Sequence, residues 1–155
     1  MPNIVQKSTV SFEYIRGLID GEGCFTFCNV GSAGSKKNKK RIPAFIFSMS
    51  KRDKDLLFKI KEKLKLSNKI YEYPARKTKD GYVRSPMTMI IIRDLGQLKN
   101  TIIPLCYEKL VGYKSKQFHD WINKIGSDPM VPTSYKLVSR LFSSGFYDND
   151  KRFVD

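Results

Sequence analysis

The sequence predicts a single α+β domain in which an antiparallel sheet carries helices on one face. Its 155 residues are 41% apolar, enough to bury one core without disulfides or metals. Segments with helical spacing alternate with pairs of strand-like segments, and two such hairpins can join into one antiparallel sheet whose second face stays free. We therefore expect one domain over residues 1–155, with a core at about 10–126 and a C-terminal extension at 127–155.

The first helix is predicted over residues 12–20. Ser11 is a good N-cap, and the apolar residues that follow it recur at helical spacing. Residues 24–30 and 42–49 alternate in polarity or size, with Phe25 on the face that we assign to the core. These two segments form the first hairpin, joined by a long loop.

The second half repeats this order. Ser50, followed three residues later by Asp53, resembles an acidic capping box and predicts the start of a helix with a core-facing apolar stripe. The segments 70–76 and 82–92 read as the second hairpin.

Three further helices are predicted near the C-terminus. The first, over 94–101, must end before Pro104, because the residue before a proline avoids helical geometry. The second has apolar residues at helical spacing and is expected to stop at Gly126. A last, weak helix covers about 134–141.

The net charge of +14, from 29 Lys or Arg against 15 Asp or Glu, indicates a polyanionic partner. Nucleic acid is the first choice and an anionic membrane surface the second. No apolar run approaches the roughly 20 residues of a membrane-spanning helix, and the N-terminal region lacks a signal-peptide core. Three cysteines, an odd number in a chain of this size, favour a reducing, intracellular compartment over a disulfide framework.

Basic residues cluster at the predicted tips of the two hairpins. They are Lys36, Lys37, Lys39, Lys40 and Arg41 in the first hairpin and Arg76, Lys77 and Arg84 in the second. From there they can reach the phosphates or enter a groove of a nucleic acid. Solvated loops, or a nuclear targeting signal in the first cluster, are the alternatives.

Side chains that face away from the core are candidates to contact DNA. Thr26 and Cys28 lie on the strand face opposite Phe25, and Tyr71 and Tyr73 lie opposite Ile70, although aromatic residues are common in any strand. The corresponding positions of the next strand are apolar for a surface that reads DNA: Ile42, Ala44 and Ile46. They can pack on thymine methyl groups, or they indicate a protein whose original function has been lost or changed.

The segment from Ile15 to Gly23 is the most informative. Gly17 and Gly21 are four residues apart and leave a smooth helical face on which a second helix can pack closely. Asp20 and Glu22 lie near the helix C-terminus, where the helix dipole disfavours negative charge. A cation would relieve this, and carboxylate and carbonyl oxygens are the ligands that Mg²⁺ prefers. An acidic cap at a Gly-rich turn is the metal-free alternative.

This segment, Ile-Arg-Gly-Leu-Ile-Asp-Gly-Glu-Gly, resembles the signature of the LAGLIDADG homing endonucleases, with Arg16 in place of the usual small second residue. The resemblance covers most of the chain, because the expected strands and helices follow the motif. It implies an αββαββα fold with a saddle-shaped sheet over double-stranded DNA. It also implies that the motif helices of two subunits pack together, here through Gly17, Leu18 and Gly21.

The resemblance further implies a divalent-metal-dependent reaction. By position, Glu22 is the metal-binding acid and Gly21 offers its carbonyl oxygen, with Mg²⁺ in the site or Mn²⁺ or Ca²⁺ in its place. The segment Lys114-Ser-Lys-Gln resembles the basic active-site stretch of the family. Lys114 is then the candidate to stabilise the phosphate or the attacking water, and Lys116 a candidate to contact DNA; a solvated lysine at a helix start is the alternative for Lys114.

Because the motif occurs once, the resemblance implies a homodimer, since cutting both strands needs two sites. The function expected is a sequence-specific, intron-encoded endonuclease that cuts a long pseudo-palindromic site, in an organelle or a microbial cytoplasm. Met49 and Asp53 stand where relatives often carry polar, water-ordering side chains. A cleavage-inactive member, such as an intron maturase or a DNA-binding regulator, is therefore the alternative. A basic RNA-binding protein would explain the charge but not the motif.

Overall fold

In the computed structural model, which describes residues 9–31 and 39–155, the predicted α+β class is confirmed. The strands are β1 (Gly23–Val30), β2 (Lys40–Ser50), β3 (Ile70–Tyr73), β4 (Arg76–Lys77), β5 (Val83–Arg84) and β6 (Met87–Ile92). The α-helices are α1 (Phe12–Glu22), α2 (Lys54–Lys63), α3 (Leu95–Gln97), α4 (Ile103–Cys106), α5 (Lys114–Ser127) and α6 (Lys136–Ser143).

The two predicted hairpins join into one antiparallel sheet with the strand order β1-β2-β6-β3. The inner strands β2 and β6 pair from Phe45 opposite Ile92 to Ser50 opposite Met87. The short strands β4 and β5 form a separate two-stranded tip on the second hairpin. The sheet therefore has one helix-covered face and one that we call the open face.

The core lies between the helices and the covered face of the sheet. Side chains of α1, α2 and α5 pack on alternate residues of the strands, and the Phe25 ring lies 4.9 Å from the Phe118 ring and 5.2 Å from that of Trp121 between centroids. The largest fully buried side chains include Ile15, Ile19, Phe45, Phe47, Leu57, Ile60, Ile90, Ile92 and Phe118. This contiguous core positions both ends of α1.

Strand β2 is held at both ends by backbone hydrogen bonds outside the sheet. The Arg41 N–H donates to the Met130 carbonyl at 3.0 Å, and the Lys51 N–H donates to the Pro86 carbonyl at 2.9 Å. These bonds attach the ends of β2 to segments that are distant along the chain.

The prediction that a helix ends before Pro104 was wrong. The helical path continues from α3 through a π-helical segment, Leu98–Ile102, into α4, and Pro104 lies at the start of α4. A proline is tolerated in the first turn of a helix, where its missing N–H has no intrahelical acceptor. Where the π-helical segment changes into α4, a new first helical turn begins within the continuous helical path, and Pro104 lies in that turn.

Gly126 does not stop α5, which runs on to Ser127. A Cβ atom at Gly126 would lie 2.5 Å from the Ser139 Oγ of α6, so the glycine allows α5 and α6 to cross closely. Beyond it, Val131, Val138 and Tyr147 are buried in the same hydrophobic core. Residues of the predicted extension thus contribute to the packing of the domain.

The capping box predicted at Ser50 and Asp53 was also wrong. A 3-10 turn, Lys51–Asp53, precedes α2, and neither side chain accepts a capping hydrogen bond. The extra turn shifts the helix start by one turn, so the spacing of the two residues no longer matches the first helical N–H groups.

The C-terminal residues close over the N-terminal end of α1. The Asp155 carboxylate accepts hydrogen bonds from the N–H groups of Phe12 and Glu13, at 2.8 and 2.9 Å. Arg16 is only 5% exposed and donates to the carbonyl oxygens of Leu105 at 2.7 Å and Phe153 at 2.6 Å. The arginine that departs from the usual motif therefore ties α1 to two distant segments of its own chain.

Candidate functional site

The two acids near the end of α1 have different surroundings. Asp20 accepts hydrogen bonds from the backbone N–H groups of Val111 and Gly112, both at 3.1 Å. Glu22 is exposed, and its carboxylate makes no hydrogen bond or ion pair among the described residues. Asp20 therefore acts as a structural acid that fixes a loop, and Glu22 is the carboxylate available to a ligand.

The loop held by Asp20 leads directly into α5, whose first residue is Lys114. Gly112 lies two positions earlier, so the Asp20 contact places the start of α5 next to the end of α1. Lys116, two residues further along α5, is paired with Asp120 at 2.9 Å, and this hydrogen bond raises the pKa of Lys116. Of the two lysines, Lys114 is the one without an ion pair in the described parts of the chain.

The donor atoms at the end of α1 fit a hard divalent cation as part of a larger site. No group of three or more His, Cys, Asp or Glu side chains in the described residues could hold a metal ion alone. Glu22 supplies one exposed carboxylate, and Gly21 lies in the last helical turn, where backbone carbonyls lack intrahelical partners. Mg²⁺ is commonly held by one or two carboxylates, water and substrate phosphates, so one protomer can supply part of such a site.

The glycine face of α1 is bare. A Cβ atom at Gly17 or Gly21 would meet nothing within 4 Å, whereas one at Gly23 would lie 2.9 Å from the Ile19 carbonyl. The neighbouring Tyr14 is 49% exposed, and Leu18 is half-buried. Packing within the described protomer therefore requires Gly23 to be small but places no such requirement on Gly17 and Gly21.

The strand register places four of the predicted DNA-binding side chains together on the open face. Thr26 and Cys28 lie on β1, and Tyr71 and Tyr73 on β3, all at positions that alternate with core-facing residues. The two tyrosines are 40% and 44% exposed. These four residues are available to a ligand on one side of the sheet.

The predicted basic residues fall into two groups. Lys36 and Lys37 lie outside the described residues. The others are all exposed: one group, Lys39, Lys40 and Arg41, lies just before and at the start of β2, and the other, Arg76, Lys77 and Arg84, lies in the β4–β5 tip. Arg41 differs from the others because it forms an ion pair with Asp128 at 2.7 Å. The remaining side chains extend the positive charge toward the edges of the open face.

Two further cations lie at strand ends and were not predicted from the sequence: Lys69 before β3 and Arg93 after β6. Both are exposed, and the Lys69 Nζ lies 5.5 Å from the centroid of the Tyr71 ring. Isolated basic residues at strand ends give only a weak signal. The continuous apolar run of β6 also concealed that Met89 and Ile91 belong to the open face.

Met49 and Asp53 do not supply a polar pair near the candidate site. Met49 is 7% exposed and packs in the core, while Asp53 is exposed before α2. Neither position therefore supplies a side chain that could order water at the candidate site.

The profile of the LAGLIDADG endonuclease family matches residues 15–125, so the chain belongs to this family. The match begins at the motif helix and ends within α5. No helix in residues 9–31 or 39–155 is long and apolar enough to cross a membrane. Among curated protein sequences, none matches this chain.

Solved structures with this fold include three meganucleases bound to DNA. I-CpaMI with uncleaved DNA is 18% identical with a TM-score of 0.63, over 99% of this chain and 48% of that one. I-SmaMI with an uncleaved target and calcium ions is 18% identical with a TM-score of 0.60, over 93% and 47%. I-LtrWI with target DNA is 21% identical with a TM-score of 0.59, over 89% and 44%. The chain thus spans about half the length of these structures.

Proposed function

We propose that the protein is a sequence-specific, divalent-metal-dependent DNA endonuclease that acts as a homodimer. The observation that carries this proposal is the C-terminal end of α1, where the bare face of Gly17 and Gly21 adjoins the exposed carboxylate of Glu22. Membership of the LAGLIDADG endonuclease family and the fold shared with DNA-bound meganucleases support it.

Two copies would pack through the bare glycine face of α1. Each chain carries one motif and spans about half of the two-domain structures that share its fold. A two-fold pair would place two Glu22 carboxylates near its axis, one for each DNA strand. The target would then be roughly palindromic, with one half bound by each subunit.

At each strand, Glu22 would hold the ion, with the Gly21 carbonyl as a second donor. A bound divalent ion supplies Lewis-acid stabilisation of the phosphate and a nucleophilic water at neutral pH. Lys114 would offset negative charge that develops on the phosphate. Asp20 would act as a positioning residue, because its contacts with Val111 and Gly112 fix the loop that precedes Lys114.

Lys116 and the basic residues of the two hairpins would bind phosphates on either side of the cleavage site. The bases would be faced by Thr26, Cys28, Tyr71 and Tyr73. Phosphate contacts fix the position of a protein on the duplex, and contacts with base edges provide specificity. The open face combines both kinds of group.

The dimer is tested by Gly17→Leu. The new side chain meets no atom of its own protomer within 4 Å of the Cβ, and leucine favours a helix by roughly 0.8 kcal/mol over glycine. The variant should therefore fold, while its dimer, measured by light scattering with and without DNA, should dissociate. Gly96→Leu is a matched helical control and should leave the mass unchanged. A wild-type mass of one chain under both conditions contradicts the homodimer.

A cleavage-inactive DNA-binding member is the second candidate, favoured by the burial of Met49 in the core. Incubating the protein with a randomised duplex library and Mg²⁺ or Mn²⁺, then sequencing the ends, distinguishes the two. The endonuclease produces cuts at a defined site. Specific binding without cuts under both metals assigns the chain to the second candidate.

A further inference from the structure

The open face of the sheet is apolar along its two inner strands. Its residues there are Ile42, Ala44, Ile46, Ser48 and Ser50 of β2 and Met87, Met89 and Ile91 of β6. None of these described positions carries a charge, and the isoleucines and methionines are half-buried, whereas Ala44 between them is fully buried. An uncovered apolar strip of this kind needs a partner that is apolar where it meets the strip.

Cations surround this apolar strip. At one end, a depression of about 620 Å³ is lined by Ile42 and Ile91 together with two cations, Lys69 and Arg93, and one carboxylate, Asp94. At the other end of β3, the β4–β5 tip carries Arg76 among other exposed basic residues. The partner is therefore expected to be anionic at its margins and apolar between them.

The major groove of a duplex offers this arrangement. Phosphates line its edges, and the 5-methyl group of thymine is the apolar group that a base pair presents there. Isoleucine and methionine side chains cannot hydrogen-bond to the edge of any base. The only favourable contact that they can make in the groove is with the 5-methyl group of thymine, so contact with the strip should favour base pairs that present this methyl group.

We propose that the open face specifies thymine, through contacts between the thymine 5-methyl groups and Ile42, Ile46 and Ile91. The inference rests on the proposed DNA-binding function and adds the base that the centre of the surface recognises. Polar readout of other bases is left to the margins of the sheet, where Thr26 and the tyrosines lie.

The test begins with selection of bound duplexes from a random library in the presence of a chelator, so that no cutting occurs. The selected sites should be enriched in thymine at fixed positions within each half. Replacing these thymines by deoxyuridine removes only the methyl groups. Affinity of the wild-type protein should then fall by about fourfold for each methyl contacted.

The variant Ile46→Ala tests whether Ile46 is one of the side chains that contact a thymine methyl group. In this variant, one of the deoxyuridine substitutions should no longer reduce affinity, because the methyl group has already lost its partner. Leu137→Ala, which removes an aliphatic side chain 36% exposed on α6, should retain the full effect of every substitution. Thermal melts confirm that both variants are folded, and the wild-type comparison does not depend on either of them.

The outcomes separate this inference from the proposed function. Specific sites without thymine enrichment, bound equally well with deoxyuridine, overturn thymine recognition and leave DNA binding intact. Failure to select any duplex overturns both. Binding to vesicles containing phosphatidylserine, with no duplex selected, also overturns both and assigns the strip to a lipid surface.

Discussion

The two ends of α1 belong to one short helix and differ in what contacts them. At the N-terminal end, Asp155 accepts two backbone hydrogen bonds and Arg16 is almost completely buried. In the C-terminal half, Asp20 is anchored to the loop before α5, but Gly17, Gly21 and Glu22 are exposed. The helix is thus held by its own chain throughout, but only its C-terminal half leaves side-chain positions accessible to a partner. Substitutions at the first end should change stability, and those at the second should change assembly and cleavage.

The largest effect is expected from Glu22→Gln at the accessible end. The substitution keeps the size of the side chain and removes the charge that would hold the ion, so nicking with Mg²⁺ should slow by about 10³-fold or more. Affinity measured in chelator should persist or rise slightly, since an anion near the phosphate is removed. Glu62→Gln on α2 is the control, and wild-type cutting by Glu22→Gln contradicts the assignment of the metal-binding acid.

Lys114→Met is expected to slow nicking by about 10²- to 10³-fold, the range for loss of one group that stabilises transition-state charge. Binding in chelator should weaken only modestly, because one cation among many is lost. Single-turnover nicking and binding are measured together, with Lys109→Met as an exposed control. Equal losses of binding and nicking would instead make Lys114 a simple phosphate contact.

At the fixed end, Arg16→Met should destabilise the fold by about 2 to 3 kcal/mol, because the Leu105 and Phe153 carbonyls lose a charged donor. Urea unfolding measures the change, and Arg140→Met, on the exposed face of α6, should have little effect. Nicking per folded molecule should stay near the wild-type rate. A stable but inactive Arg16→Met protein would show that the two ends are not independent.

The smallest effect concerns Asp155 and depends on pH. Hydrogen bonds from the N–H groups of Glu13 and Phe12 hold the pKa of Asp155 below the ordinary value of 3.8. Its stabilising contribution is therefore complete at neutral pH and is lost as pH falls through the lowered pKa. Asp155→Asn should have a lower Tm than wild type at pH 7, and the difference should shrink below about pH 4. Asp53→Asn is the control, since the Asp53 side chain makes no capping hydrogen bond, and it should leave the Tm at pH 7 unchanged.

The motif, the hairpins and the covered face could be predicted because each rests on local spacing. The structural role of Asp20 could not be predicted from local spacing, and only the family resemblance distinguished Glu22 from it, since the partners of Asp20 lie about ninety residues away in the loop before α5. Gly126 was misread as a stop signal for the same reason: its neighbour Ser139 belongs to another helix. Local sequence rules treat a glycine or a proline as the end of a helix. Tertiary packing decides whether the residue ends the helix or instead lets the helix continue, for example where two helices cross closely.

The bonds at the two ends of β2 have a consequence for folding. If β2 shifted its pairing register by one residue, Ala44 and Ile46 would replace Phe45 and Phe47 in the core. These residues are also apolar, so the hydrophobic pattern of the strand disfavours the shifted register only weakly. The distant acceptors, Met130 and Pro86, can fix the strand only after both have reached it. We therefore expect the first hairpin, before the rest of the chain arrives, to exchange between slipped pairings and to be the segment most prone to aggregation during synthesis.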